Sequence, residues 1–71
     1  MSGYAVIIEN EGESWGAYVP DLPGCVALGS SRAEVEELIR EAIPMHLDLM
    51  REQGEEIPPP AAAGAIVVQV A

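Results

Sequence analysis

The pattern of apolar and polar positions divides the chain into four strand-like stretches and one helix. Residues 4–9, Tyr-Ala-Val-Ile-Ile-Glu, are compact and β-branched and predict a strand. Asn10 and Gly12 carry turn chemistry. Residues 14–19 then alternate as a second strand, so the pair predicts a hairpin. Trp15, Ala17 and Val19 fall on one face, Gly16 and Tyr18 on the other. Pro20, Asp21, Leu22, Pro23 and Gly24 form a turn cluster; the two prolines donate nothing to a ladder and end the second strand near Val19. A short third strand over 25–28 is closed by Gly29 and Ser30.

The helix signal is the clearest. Ser31 stands three residues before Glu34, the capping-box spacing, and Gly54 suits the stop after Gln53. At about 100° per residue, Val35, Leu38, Ile39, Ala42, Ile43, His46, Leu49 and Met50 share one stripe. Glu34, Glu37, Glu41, Asp48, Arg40 and Arg51 lie opposite. Pro44 sits inside this pattern, also away from the stripe. It removes one backbone hydrogen bond and predicts a kinked, continuous helix; two helices broken at Ile43 are the alternative.

Residues 55–64 are rich in Pro and Ala and read as a stiff connector. Residues 65–70, Ala-Ile-Val-Val-Gln-Val, predict a fourth strand. The order β-β-β-α-β describes an α+β sheet with one covering helix, in a single domain spanning 1–71. The first and last strands are apolar on both faces, and one helix covers only one face. The surplus predicts burial by another chain, hence a homo-oligomer, dimer or tetramer.

Composition narrows the function. Twelve acids face three arginines, lysine is absent, and the net charge is −9. Phosphate backbones and anionic membranes are held by Lys and Arg, so direct nucleic-acid or membrane binding is not expected. A basic protein partner suits this charge. One cysteine, Cys25, leaves no internal disulfide and suits a reducing cytoplasm. Residues 1–4 show no secretory signal, and the longest uncharged stretch, 57–71, is too short to span a bilayer.

No catalytic set is evident. His46 lies on the apolar stripe with no acid on its face to orient it, so a packed imidazole is the simpler reading. Cys25 has no cation near it in sequence and reads as a small buried apolar residue. Glu9, Glu11 and Glu13 lack calcium-loop spacing and read as a solvated turn. No metal or other cofactor is expected. Asp21 suits a backbone-bonding turn role. The loop of Asp21, Leu22, Pro23 and Gly24, stiffened by proline, also makes a rigid binding surface. Leu22 is then either its apolar contact point or a core anchor.

Residues 4–9, the run from Trp15 through Val19-Pro20-Asp21-Leu22-Pro23-Gly24-Cys25, Gly29 to Glu34, and Ile39-Arg40-Glu41-Ala42-Ile43 together resemble the HicB-like antitoxin domain. The resemblance runs from about Gly3 to Pro60. It implies a partial ribonuclease-H-like four-stranded sheet, the last strand parallel to the first, without nuclease activity. It further implies a non-enzymatic antitoxin that covers the active face of a small basic mRNA-cleaving toxin of the HicA type. Asp21, Leu22, Pro23 and Gly24 would form the contact loop, and Glu9, Glu11 and Glu13 would attract the toxin. An orphan self-associating domain is the alternative. Many relatives continue into an operator-binding helix-turn-helix or ribbon-helix-helix; residues 1–71 contain neither, so operator binding by them is not expected.

Overall fold

The computed structural model describes residues 3–70. Three strands precede one helix: β1 (Ile7–Glu11), β2 (Ser14–Tyr18), β3 (Val26–Gly29) and α1 (Arg32–Glu52). The sheet is antiparallel in the order β1-β2-β3, giving an α+β architecture.

The hairpin closes later than the turn residues suggested. Asn10 stays in the ladder opposite Trp15. Its Nδ2 donates to the carbonyls of Gly12 and Ser14 at 3.0 and 3.1 Å, bracing the turn from inside. Gly12 has φ 61°, and among the described residues no non-glycine has a positive φ. Positive φ at the first central residue alone is the type II′ pattern, which suits a two-residue hairpin. The strand therefore shifts forward, and 4–6 lie outside the ladder.

Register then sorts the faces. Ile8, Ala17 and Ala27 stand side by side on the inner face, and Ile7, Tyr18 and Val26 on the outer. Small Ala17 and Ala27 are buried where α1 crosses the sheet. The 19–25 loop is a pair of consecutive turns. Leu22 N–H donates to the Val19 carbonyl and Cys25 N–H to the Leu22 carbonyl, each at 3.0 Å. In the second turn Pro23 is followed by Gly24 at φ 87°, the order a type II turn requires. Val19 N–H closes the loop onto the Cys25 carbonyl at 3.2 Å.

Helix α1 is capped at both ends by local chemistry. Ser31 Oγ accepts from Glu34 N–H at 3.1 Å, and Glu34 Oε1 accepts from Ser30 N–H at 2.9 Å. A side chain at Gly29 would collide with that Glu34 carboxylate. At the far end Gly54 turns left-handed at φ 73°, while Glu55 N–H reaches the Met50 carbonyl and Gly54 N–H the Arg51 carbonyl, a Schellman closure. The helix passes through Pro44 unbroken. We expect Ser31→Ala to cost about 1 kcal/mol, read as a lower urea midpoint at constant slope.

The core comprises Ala17, Val19, Leu22, Cys25, Ala27, Val35 and Ile39, flanked by Tyr4, Val6, Ile8, Trp15, Ala42, Ile43, Leu47 and Met50. Two sequence expectations need correction. First, the core stripe of α1 is narrower and rotated. Leu38 and Leu49 are exposed, whereas Leu47 packs inward. A sheet of three short strands covers only the arc of the row Val35, Ile39, Ile43 and Leu47. Second, residues 65–70 form no strand. Ile66, Val67 and Val70 are 86, 88 and 87 % exposed. The connector before them is fastened at two points. Tyr4 Oη donates to the Pro58 carbonyl, and Asp21 Oδ2 accepts from the N–H groups of Ala61 and Ala62. These bonds hold 58–62 at the end of the sheet where β1 begins, and 65–70 join no ladder.

Candidate partner-binding surface

Leu22 is completely enclosed, so of its two expected roles it takes the core anchor. Its side chain cannot be the loop's apolar contact point in this conformation. The tight double turn around it folds the backbone over its own side chain. Pro23 and Gly24 remain exposed. Asp21 is half-buried and is spent on the connector, both N–H···O distances being 3.0 Å.

Glu9, Glu11 and Glu13 are exposed at the hairpin end. The antiparallel β2 strand separates that end from the 19–25 loop by roughly 14 Å, at about 3.4 Å per residue. The structure thus does not unite the two candidate groups. It places them at opposite ends of one sheet.

What lies beside the loop is an apolar groove. It starts at Gly24, Cys25 and Val26 on the β3 edge and runs under Leu38, Met45 and Leu49 of α1, enclosing about 680 Å³. Val26 and Met45 are 59 and 71 % exposed. Glu41, Asp48 and Glu52 form its rim. An apolar floor with an acidic margin is suited to a partner that presents an aliphatic ridge flanked by Lys or Arg. Counting one broad stripe missed this groove. The signal was present: Leu38, Ala42, Met45 and Leu49 follow i, i+4, i+7, i+11 and make a second seam beside the core row.

The outer sheet face adds a second apolar patch. Tyr18, Val26 and Leu28 are exposed there, with the Leu28 side chain lying over Gly16.

Among the described residues neither the His46 ring nor the Cys25 thiol gains a side-chain hydrogen bond. The His46 ring lies beside Gly24, its Cε1 3.8 Å from where a Cβ on that glycine would stand. Among the described residues no group of three His, Cys, Asp or Glu side chains could hold a metal ion. Cys25 is buried, and burial pushes its thiol above the ordinary 9.0 because the thiolate loses its water. We therefore expect Cys25 to resist thiol reagents until the domain unfolds. Burial of the neutral thiol also makes a pH-dependent contribution to stability. The contribution is whole below pH about 9 and is lost as pH rises through the higher folded value, because the unfolded chain ionises first. Thiol labelling across a urea series and unfolding midpoints at pH 8 and 10 check both statements.

Comparison with known proteins gives concordant matches. The family model described as HicB_like antitoxin of bacterial toxin-antitoxin system matches residues 4–70. An "Antitoxin HicB 2" of Photorhabdus laumondii is 30 % identical over 67 residues, 94 % of this chain and 48 % of that protein. An "Uncharacterized 14.9 kDa protein in rep-hol intergenic region" of Haemophilus phage HP1 is 36 % identical over 55 residues, 78 % of this chain and 41 % of that protein. The chain spans less than half the length of either curated relative.

Proposed function

We propose, since this chain belongs to the HicB-like antitoxins of bacterial toxin–antitoxin systems, that it neutralises a small basic mRNA-cleaving toxin of the HicA type by covering its active face. Membership of an antitoxin family implies a toxin partner and suggests a non-catalytic regulator. Among the described residues no helix is long and apolar enough to cross a membrane. In this reading the chain works in the cytoplasm, as a homo-oligomer, and without touching nucleic acid itself.

The observation that supports it best is the groove between β3 and α1, apolar within and acidic at its margin. Gly24 lines the groove and, with the exposed Pro23 before it, serves as the rigid contact loop; Asp21 and Leu22 hold that loop in shape. Glu9, Glu11 and Glu13 act at longer range, as part of the charge of −9 that speeds encounter with a basic toxin. We further propose that the partial ribonuclease-H-like sheet of four strands is completed in the assembled protein, with 65–70 as the fourth.

Co-expression with a basic toxin encoded beside this gene tests the reading. Growth should be restored by the wild-type chain. A Met45→Lys, Leu49→Lys double variant should restore it poorly, since both side chains face solvent and their loss leaves the core intact. Growth arrest that persists with the wild-type chain would reject the proposal and favour a purely self-associating domain, for which the exposed Tyr18, Val26 and Leu28 are the supporting feature.

A further inference from the structure

The sheet ends on two edges, and they are not alike. Along β1 stand the charged side chains of Glu9 and Glu11, and the Tyr4–Pro58 bond fastens the connector at its head. Charges on an edge strand discourage pairing with another chain. β3 has no such guard: its four residues, Val26-Ala27-Leu28-Gly29, include no charge and no proline. Val19 N–H bonds to the carbonyl of Cys25 directly opposite. Opposed pairs in an antiparallel ladder alternate between bonded and unbonded, so Ala27 and Gly29 bond to Ala17 and Trp15 of β2. The N–H and C=O groups of Val26 and Leu28 therefore face outward. Among the described residues no turn, loop or side chain bonds to them. The two residues are 59 and 79 % exposed.

This open edge is one bank of the groove that continues under Leu38, Met45 and Leu49 of α1. Resting on the toxin reading of that groove, we propose that the toxin is held as an extended strand paired with the β3 edge. The outward groups of Val26 and Leu28 then supply backbone hydrogen bonds, and alternate side chains supply register. One set of toxin side chains points beneath α1 and is aliphatic; the other set lies beside Val26 and Leu28 on the outer face. A helix laid in the same groove satisfies its own backbone and would cover the Val26 and Leu28 groups without pairing them, which costs free energy. A strand pairs them.

Charge selects which chain donates the strand. From Glu41 to Glu52 the acidic margin runs about 16 Å along the axis of α1. That is the length of a strand of about five residues. Among the described residues no basic side chain lines the groove. Pairing β3 with β3 of a second copy would bring two acidic margins together, in chains that each carry −9. Residues 65–70 are uncharged and would leave the margin unmatched. An aliphatic strand flanked by Lys or Arg, from a basic toxin, satisfies both the edge and the margin.

The test uses the full chain and the basic toxin encoded beside this gene. With this chain nitrogen-labelled and the toxin carbon-labelled, scalar couplings across hydrogen bonds arise only between the two molecules. They are expected from the Val26 and Leu28 amides to toxin carbonyls, and both amides should exchange roughly 10-fold more slowly than in the free chain. Leu28→Pro deletes an outward donor that β2 does not use, at an edge position where proline is tolerated. It should weaken the complex about 10-fold more than Leu28→Ala, which keeps the donor. Circular dichroism of both free variants checks their folding, and the couplings in the wild-type complex decide if Leu28→Pro does not fold. Growth arrest that persists with the wild-type chain rejects the toxin reading and the strand pairing together. A neutralising complex without these couplings, or with Val26 and Leu28 exchanging as in the free chain, overturns the strand pairing alone. So does a folded Leu28→Pro variant that binds as tightly as Leu28→Ala.

Discussion

Leu22→Ala should remove a large part of this domain's stability. Leu22 has no exposed surface and fills the space enclosed by the 19–25 turns and the inner face beneath α1. Truncating a fully buried leucine costs about 2–5 kcal/mol, the upper end applying where the cavity cannot collapse. Here collapse is opposed. The backbone on either side is fixed by the 3.0 Å bonds from Leu22 N–H to the Val19 carbonyl and from Cys25 N–H to the Leu22 carbonyl. At about 0.05–0.15 kcal/mol per residue, a chain of this size holds only roughly 4–11 kcal/mol in total. The variant should unfold at a much lower urea midpoint with an unchanged slope. A midpoint within error of wild type would show that Leu22 does not anchor the loop.

Asp21→Ala should release the connector. One carboxylate oxygen accepts two backbone N–H groups 40 and 41 residues away, so the side chain is the bolt between the β2–β3 loop and 58–62. Charge-assisted bonds of this kind are worth about 1.5–3 kcal/mol when shielded. The site is half open to water, which lowers the expected loss to about 1–2 kcal/mol. Amide exchange at Ala61 and Ala62 should accelerate by roughly 5- to 30-fold, while exchange in the centre of α1 follows only the small global change. Asp21→Asn retains an acceptor oxygen and should fall between. Equal exchange in all three proteins would mean that Tyr4 alone holds the connector.

These two substitutions separate two jobs within one short loop. Leu22 builds the loop from beneath, and Asp21 directs a distant segment across the sheet end. The exposed Pro23 and Gly24 are left free beside the groove proposed for the toxin. A residue can therefore matter for antitoxin action without touching a toxin, and the co-expression assay should be read together with folding measurements.

Much of the fold was legible because its determinants are local. Ser31 and Gly54 mark the ends of α1 through hydrogen bonds that span three to five residues. Trp15, Ala17 and Val19 share a face because strand side chains alternate strictly. The Pro23-Gly24 turn needs a positive φ that glycine supplies without cost. The position of the hairpin was less legible, since Asn10 can serve a turn either from within it or from the strand beside it. Only the register of the finished ladder chose the latter.

Burial and pairing depended on objects far along the chain. No periodicity tells whether Leu22 points into a core or out to a partner; the crossing of α1 over Ala17 and Ala27 settled that. Leu38 and Leu49 look like core residues until the narrow width of a three-stranded sheet is known. Residues 65–70 have every attribute of a strand, yet a strand exists only when an edge lies within hydrogen-bonding reach. Backbone and side-chain chemistry set what each segment is able to form. Tertiary geometry decided which segments meet, because burial and ladder pairing are properties of two surfaces and not of one.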